Sequence, residues 1–457
     1  MQRKPLIFIT KASCAPARLA LFPARLTMII LPSARRVRGG LSRRGFLKRG
    51  AQAAAYVALA RALAACGGGG DGNGAGDGAR LAKVGALGEP LDIGIRIPRG
   101  FSARVIARAG ETIEGTALRW HSDPDGGATF ATDDGGWIYV SNREFLPGGV
   151  DAIRFDAGGA IVDAYNVLPG ALTRINCSGG ATPWKTWMSG EEYDLGIVWE
   201  CDPWGVASPT PLRALGTFAH EAVAVDPRTN IVYETEDKPD GRFYRFVPDT
   251  PNVGGKPDLA RGTLQVMRVL ADPATVAADG LLPATKVEWL DVPDPNPVLG
   301  GVLIGKPTRE QVPESTAFDG GEGIWHHEGL IYFTTKGDRK IWAHDTAAGT
   351  LACVYDDSLY AAPVLDSVDN ILVTPGGDLV VVEDKSEANQ QAVAITPDGA
   401  IFPLIELSGQ QGSEVTGPAF SPDGRHFYFS SQRGPGADAA TGSAGVTYCV
   451  SGPWFGR

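Results

Sequence analysis

The chain has 457 residues, 43% of them hydrophobic and 21% charged, with 60 glycines and 33 prolines. Its formal charge is −10, but residues 1–65 hold 13 of the 42 Lys/Arg and none of the 52 Asp/Glu, so the rest sets 29 basic against 52 acidic side chains, a formal −23. A body this acidic repels nucleic acid and anionic lipid, suits cations, and admits an anionic substrate only where positive charge is built into the site.

The first predicted element is an export leader over residues 1–66. Ser42-Arg43-Arg44-Gly45-Phe46-Leu47-Lys48 carries two adjacent arginines, the address of a twin-arginine export pathway. The alanine-rich stretch 51–65 is interrupted by Gln52 and Arg61 and is too short and too weakly apolar to span a bilayer. Met28 is a candidate start. Leu63-Ala64-Ala65-Cys66 matches a lipoprotein-type cleavage site, which predicts a lipid on Cys66 as the sole attachment to membrane. Residues 67–84, rich in Gly and Asp, read as a flexible tether. The expected location is the periplasm or the cell surface.

Residues 85–457 read as one all-β domain. Short Val/Ile/Tyr/Phe/Trp runs alternate with Gly/Pro/Asp turn clusters and show no sustained helical period. The run 101–107 predicts a strand that closes a ring. Comparable strands follow around Ile138, Thr186, Val232, Ile331, Leu379 and Phe427, at intervals of 48, 46, 99, 48 and 48 residues. A repeat of about 47 residues is the length of a four-stranded propeller blade. The doubled interval contains a Pro-rich excursion at about 247–316. The expectation is a six-bladed β-propeller, with seven blades as the alternative, carrying a loop insertion; a β-sandwich leaves the repeat unexplained.

Each repeated strand runs into polar or charged residues: Asn142 and Glu144, Glu191-Glu192, Glu236-Asp237, Lys336 and Asp338, Glu383-Asp384, Gln432-Arg433. Further acids stand between strands, in His220-Glu221, Glu322-Gly323 and Asp366-Ser-Val-Asp369-Asn370. Equivalent positions on successive blades ring one mouth of one channel. Carboxylates gathered there need counter-ions, and oxygen donors suit hard cations such as Ca²⁺ or Mg²⁺. Cys177 is the one soft donor candidate; a buried thiol and a disulfide with Cys201 are equally open readings. Cys177, Cys201, Cys353 and Cys449 allow three full pairings in an oxidising compartment. The six histidines show no HxH or HExxH spacing, and neither a GxSxG elbow nor a P-loop appears.

The run Cys177-Ser-Gly-Gly-Ala-Thr182-Pro183-Trp184-Lys-Thr186-Trp187-Met-Ser-Gly-Glu191-Glu192 resembles the CxGxxTPWxTWxxxEE signature of PhoX-type alkaline phosphatases. His220-Glu221-Ala-Val-Ala-Val-Asp226-Pro227, Tyr233-Glu-Thr-Glu236-Asp237, Glu322-Gly323-Ile-Trp325, Asp366-Ser-Val-Asp369-Asn370 and Glu383-Asp384 match in order. The resemblance implies a six-bladed propeller, a centre of Fe³⁺ and Ca²⁺ with the Cys177 thiolate on iron, and hydrolysis of small-molecule phosphomonoesters; the acidic body adds the expectation of no nucleic-acid partner, and the chain is expected to be a monomer. It implies oxygen ligands from Glu191, Glu221, Glu236, Glu322, Asp369, Asn370 and Glu383. Cys177, Glu322 and Lys336 are the expected catalytic residues. One departure stands out. The family pattern FxRxEG, whose arginine clamps phosphate, here reads Phe318-Asp319-Gly320-Gly321-Glu322-Gly323, with Lys336 or Arg339 as compensating cations. It keeps two alternatives open: a calcium-dependent propeller hydrolysing phosphodiesters or lactones, and a non-catalytic lipoprotein propeller with structural metals.

Overall fold

The computed structural model describes residues 80–81, 84–270, 284–298, 305–385, 389–435 and 444–456. The twin-arginine run, Cys66 and the tether up to residue 79 lie outside the described residues, as do 271–283 and 299–304 of the Pro-rich excursion.

Among the described residues every regular element is a strand or a three-residue 3₁₀ turn. The turn chemistry explains why. In Asp133-Asp134-Gly135-Gly136 the Thr132 N–H donates to the Gly136 carbonyl at 3.0 Å. Gly135 sits at φ 84, a conformation that costs a residue without a side chain little. Such turns break the chain into antiparallel meanders of four strands.

The first meander is Pro124–Ala131, Trp137–Arg143, Val150–Phe155 and Ile161–Leu168, in that order; the second is Asn176–Ala181, Trp187–Glu191, Val198–Cys201 and Thr210–Pro211. A nine-stranded sheet holds two more: His220–Asp226, Ile231–Glu236, Phe243–Pro248 and Gly262–Val269, then Gly321–His327, Leu330–Thr335, Lys340–Asp345 and Thr350–Asp356. Thr285–Asp291 bridges these, pairing with Gly262–Val269 on one edge and Thr350–Asp356 on the other. Next comes Val368–Val373, Leu379–Glu383, Gln391–Ile395 and Ile401–Leu407, widened by Ile95–Arg96. The last sheet is Val415–Phe420, His426–Ser431 and Val446–Ser451, completed by Ser102–Arg108. The repeat residues Ile138, Val232, Ile331, Leu379 and Phe427 all fall on second strands, and Thr186 immediately precedes one. The doubled interval is therefore partly sheet. In the excursion, Leu264, Val266 and Met267 are buried on Gly262–Val269, where the sequence reading expected a loop.

The first strand of each meander packs beside the first strand of the next, and the circuit closes from Val415–Phe420 back to Pro124–Ala131. The arrangement is propeller-like. Second strands are buried on both faces, which is why they read as unbroken apolar runs. Ile138 and Val140 pack against Trp187 and Trp199 of the following meander, while the alternate residues Trp137 and Tyr139 pack against Tyr428 and Cys449 of the last sheet. Likewise Val380 and Val382 face Phe427 and Phe429, and Val381 faces Ile341 and Tyr355. Neighbouring meanders thus bury each other's faces, which a single blade cannot do alone.

Candidate metal centre

In each meander the pairing of the first two strands slips at the same place. The register breaks between Pro124 and Gly127, Asn176 and Gly179, His220 and Val223, Gly321 and Ile324, Val368 and Ile371, and Thr416 and Ala419. A bulge adds a residue, bends the strand and re-aims a side chain. The slipped segments hold Asp125, Cys177, Glu221, Glu322 and Asp369, and Glu414 directly precedes the last of these first strands. Glycine lets the inner strands crowd together: a Cβ on Gly180 would collide with the Val223 carbonyl, and one on Gly323 with the Asn370–Ile371 backbone.

The result is a chain of four overlapping donor groups, the atoms of each within 4.8 Å of one another: Asp125, Glu144 and Cys177; Cys177, Glu192 and Glu221; Glu221, Glu322 and Asp369; Asp369, Asp384 and Glu414. Cys177, Glu221 and Asp369 are the shared corners. Glu144, Glu192 and Asp384 come from the residue just past a second strand and are only partly buried, so this end of the ring opens to solvent.

Burial dominates the electrostatics. It pushes Asp125 up to about 6 against the hydrogen bonds of Gln432 and the Gly126 N–H. It pushes Glu192 up to about 8, reinforced by Asp237 and Glu322. Glu144, Glu221, Glu322, Asp369 and Glu414 are also held well above the carboxylate range, by burial first and then by neighbouring carboxylates, with Lys336 opposing at Glu322 and Asp369 and Arg433 at Glu144 and Glu414. Cys177 is raised by burial, then by Asp125 and Glu144. Glu221 Oε1 is buried with no hydrogen-bond partner among the described residues. One thiol, a set of crowded carboxylates and an orphaned buried oxygen are what a multivalent cation satisfies. The residues fit a metal centre.

Of the residues singled out from sequence, Cys177, Glu221, Glu322 and Asp369 are brought together in these groups. Glu191, Glu236 and Glu383 stand one residue away and face into their own meanders. Glu191 accepts from Thr173 Oγ1 at 2.7 Å and from the Arg174 and Ile197 N–H groups at 3.1 Å. Glu236 accepts from Tyr244 Oη at 2.9 Å and the Arg242 N–H at 3.1 Å, and pairs with Arg309. Glu383 accepts from the Asp366 and Gln391 N–H groups at 2.8 Å and pairs with Lys385 at 2.7 Å. Each fastens the hairpin beyond its strand, and its successor — Glu192, Asp237 or Asp384 — turns to the ring. Asn370 Nδ2 donates to Asp369 Oδ1 at 2.8 Å and its Oδ1 accepts from the Gly417 N–H, which orients Asp369. Lys336 Nζ lies 2.7 Å from Glu322 Oε1 and 3.4 Å from Asp384 Oδ2, within the ring. Arg339 pairs with Asp357 and Asp366 instead. Cys177, Cys201, Cys353 and Cys449 are all free and buried, so Cys177 and Cys201 are not joined.

Asp125 and Glu414 were not singled out from sequence, and Glu144, Glu192 and Asp384 only as part of the strand-end pattern. Asp125 lies in Ser122-Asp123-Pro124-Asp125-Gly126, which reads as a turn, and Glu414 sits in Gly412-Ser413-Glu414. The common bulge, visible only in the register, finds Asp125, while Glu414 lies one residue before its strand.

Metal-free protein is expected to lose stability between pH 7 and 8.5. The folded chain keeps protons on Glu192 and its neighbours that the unfolded chain has already lost near pH 4–5, so rising pH favours unfolding. His326, His327, His344 and His426 are lowered by burial and neutral throughout this window. Thermal unfolding of chelated protein checks this; a melting temperature constant or rising over the interval contradicts it.

Comparison with known proteins gives three findings. No curated protein sequence matches the chain significantly. Among solved structures, Pseudomonas fluorescens PhoX in complex with vanadate, a transition-state analogue, superposes with a TM-score of 0.63 at 17% identity, over 82% of this chain and 97% of that one. XC5397 from Xanthomonas campestris, described as a gluconolactonase, scores 0.43 at 13% identity over 80% and 97%. The family model for alkaline phosphatase PhoX matches residues 193–352 and 356–436, more than half of the chain, and with the PhoX-like fold and the acid ring already in place, the chain belongs to the PhoX alkaline phosphatase family.

Proposed function

We propose that this chain is an exported phosphomonoesterase on a six-bladed β-propeller, acting on small-molecule phosphoesters at iron and calcium ions. The observation that carries the reading is the unbroken run of donor groups through one buried thiol at the open end of the ring. Donor type divides the groups: the two that share the Cys177 thiol suit iron, a transition metal that takes thiolate, and the all-carboxylate group Glu221–Glu322–Asp369 suits Ca²⁺. Bound there, such cations supply Lewis acidity toward phosphoryl oxygens and the positive field that an acidic body lacks. The chain's own part is to fix the donors by the bulges, to orient Asp369 through Asn370, and to hold Lys336 among Glu322, Asp237 and Asp384.

The twin-arginine run and Cys66 support export to the periplasm or cell surface, with a lipid on Cys66 holding a monomer to the membrane. Export of an already folded chain lets Cys177 meet iron inside the cell, where thiols stay reduced.

Protein supplied with iron and calcium is expected to hydrolyse p-nitrophenyl phosphate at alkaline pH, with iron confirmed by elemental analysis. Metal-replete protein without turnover overturns the phosphatase reading.

A further inference from the structure

Ion pairs with protein cations concentrate on one flank of the ring. Lys336 follows the strand Leu330–Thr335 and reaches Glu322 and Asp384, with Asp237 at 3.9 Å. Arg433 lies just past His426–Ser431, and its Nη2 is 3.1 Å from Glu414 Oε1. Asp384 and Glu414 belong to one donor group with Asp369, so the two cations meet one group through different carboxylates. Lys336 occupies the strand-end position where other meanders present Glu144, Glu192, Asp237 and Asp384, and Arg433 lies one residue beyond that position in the last sheet.

We propose that Lys336 and Arg433 form a two-point clamp for the anionic head of the substrate, selecting a phosphate monoester dianion over a diester monoanion or an uncharged ester. This rests on the phosphatase reading and names the residues and the charge state that it uses.

Three observations support the clamp. Both side chains are paired yet reachable: 34% of Lys336 and 41% of Arg433 remain exposed. A cation serving only to neutralise buried acids has no reason to keep a solvent face, whereas one that meets an anion needs it. Arg433 spends few of its five side-chain donors: Nη2 meets Glu414 and Nη1 donates to the Gly412 carbonyl at 3.3 Å, while the backbone N–H separately donates to Ser413 Oγ at 3.0 Å. The guanidinium is thus anchored with N–H groups to spare for a tetrahedral oxyanion. Finally, the approach to Lys336 is clear. Gly320 stands beside it at φ 67, and a Cβ there would lie 3.2 Å from Asp237 Oδ1 and 3.7 Å from Lys336 Cβ. A side chain at 320 would be strained and would press on Asp237, the partner of Lys336; glycine leaves the flank to Lys336. Two fixed positive charges discriminate by charge, because a doubly charged head gains from both and an uncharged ester from neither.

The test uses metal-replete full chain and the variants K336Q, R433Q and the double, with K336R and R433K as charge-keeping controls. The substrates are p-nitrophenyl phosphate and bis(p-nitrophenyl) phosphate, with inorganic phosphate as inhibitor. Each single Gln variant is expected to raise KM for the monoester and the inhibition constant of phosphate by about tenfold, with kcat within about threefold, while the diester responds less and the charge-keeping variants K336R and R433K show a smaller rise than the Gln variants. Unchanged KM and inhibition constant in the double variant overturn the clamp. So does a fall in kcat and iron content at constant KM, which places the two cations in the service of the metal cage. If wild-type protein turns over neither ester, the phosphatase reading fails by itself, and calorimetric titration of inorganic phosphate decides the clamp: binding weakened about tenfold or more by the double variant upholds it, and equal binding overturns it.

Discussion

Replacing Cys177 with alanine is expected to strip iron from the protein, bleach any visible absorption and lower kcat/KM for p-nitrophenyl phosphate by about 10³-fold or more. The sulfur is the corner of two donor groups, so one substitution opens both. Burial, with Asp125 and Glu144 alongside, holds the thiol well above its usual range. A thiolate therefore exists there only with a cation to hold it, and the cation in turn loses its one soft donor when the sulfur goes. Elemental analysis, the absorption spectrum and steady-state kinetics on the same preparation check the prediction together. Iron and colour retained in the variant would falsify the assignment of the sulfur as a ligand.

Glu221→Gln is expected to shift stability in opposite directions with and without metal. In metal-free protein Glu221 is a fully buried carboxyl crowded by Glu322 and Glu192, with one oxygen unpartnered. The uncharged amide relieves that repulsion, so chelated variant gains about 1–3 kcal/mol over chelated wild type at pH 8. In loaded protein the same change removes a donor shared by two groups and puts N–H groups where acceptors are needed. The stabilisation that bound cations supply shrinks, and kcat/KM falls about 10²-fold or more. Paired melting curves with chelator and with iron plus calcium measure both arms. A shift of the same sign in both states means that the carboxylate serves packing and not cations.

The architecture was legible because it is periodic. Meanders that bury both faces of their second strands must repeat an apolar run, and Ile138, Val232, Ile331, Leu379 and Phe427 mark it. The closing strand was legible for a similar reason: the run at 101–107 has no meander of its own and is found as Ser102–Arg108 against Val446–Ser451. The site was harder to read. Glu191-Glu192, Glu236-Asp237 and Glu383-Asp384 place two acids side by side at the end of a strand, where alternation sends them to opposite sides. Composition does not say which one looks inward. The choice is made by hairpin N–H groups, such as those of Ile197, Arg242 and Gln391, that take the first acid of each pair. Asp125 was hidden for a different reason, since a bulge looks like a turn when its partner strand is unknown, and Glu414 stands in a turn one residue before its strand. Arg433 carried a signal, the strand-end position, but no local feature separated it from a solvated arginine.

The pairing of Ser102–Arg108 with Val446–Ser451 has a consequence for timing. Bringing together segments so far apart in sequence incurs a large entropy of loop closure and places the joining of the two ends among the slow, non-local steps of folding. The donors span almost the same distance, from Asp125 in the first meander to Glu414 at the threshold of the last. A nascent chain lacking its final sheet has neither the seam nor the last cage wall.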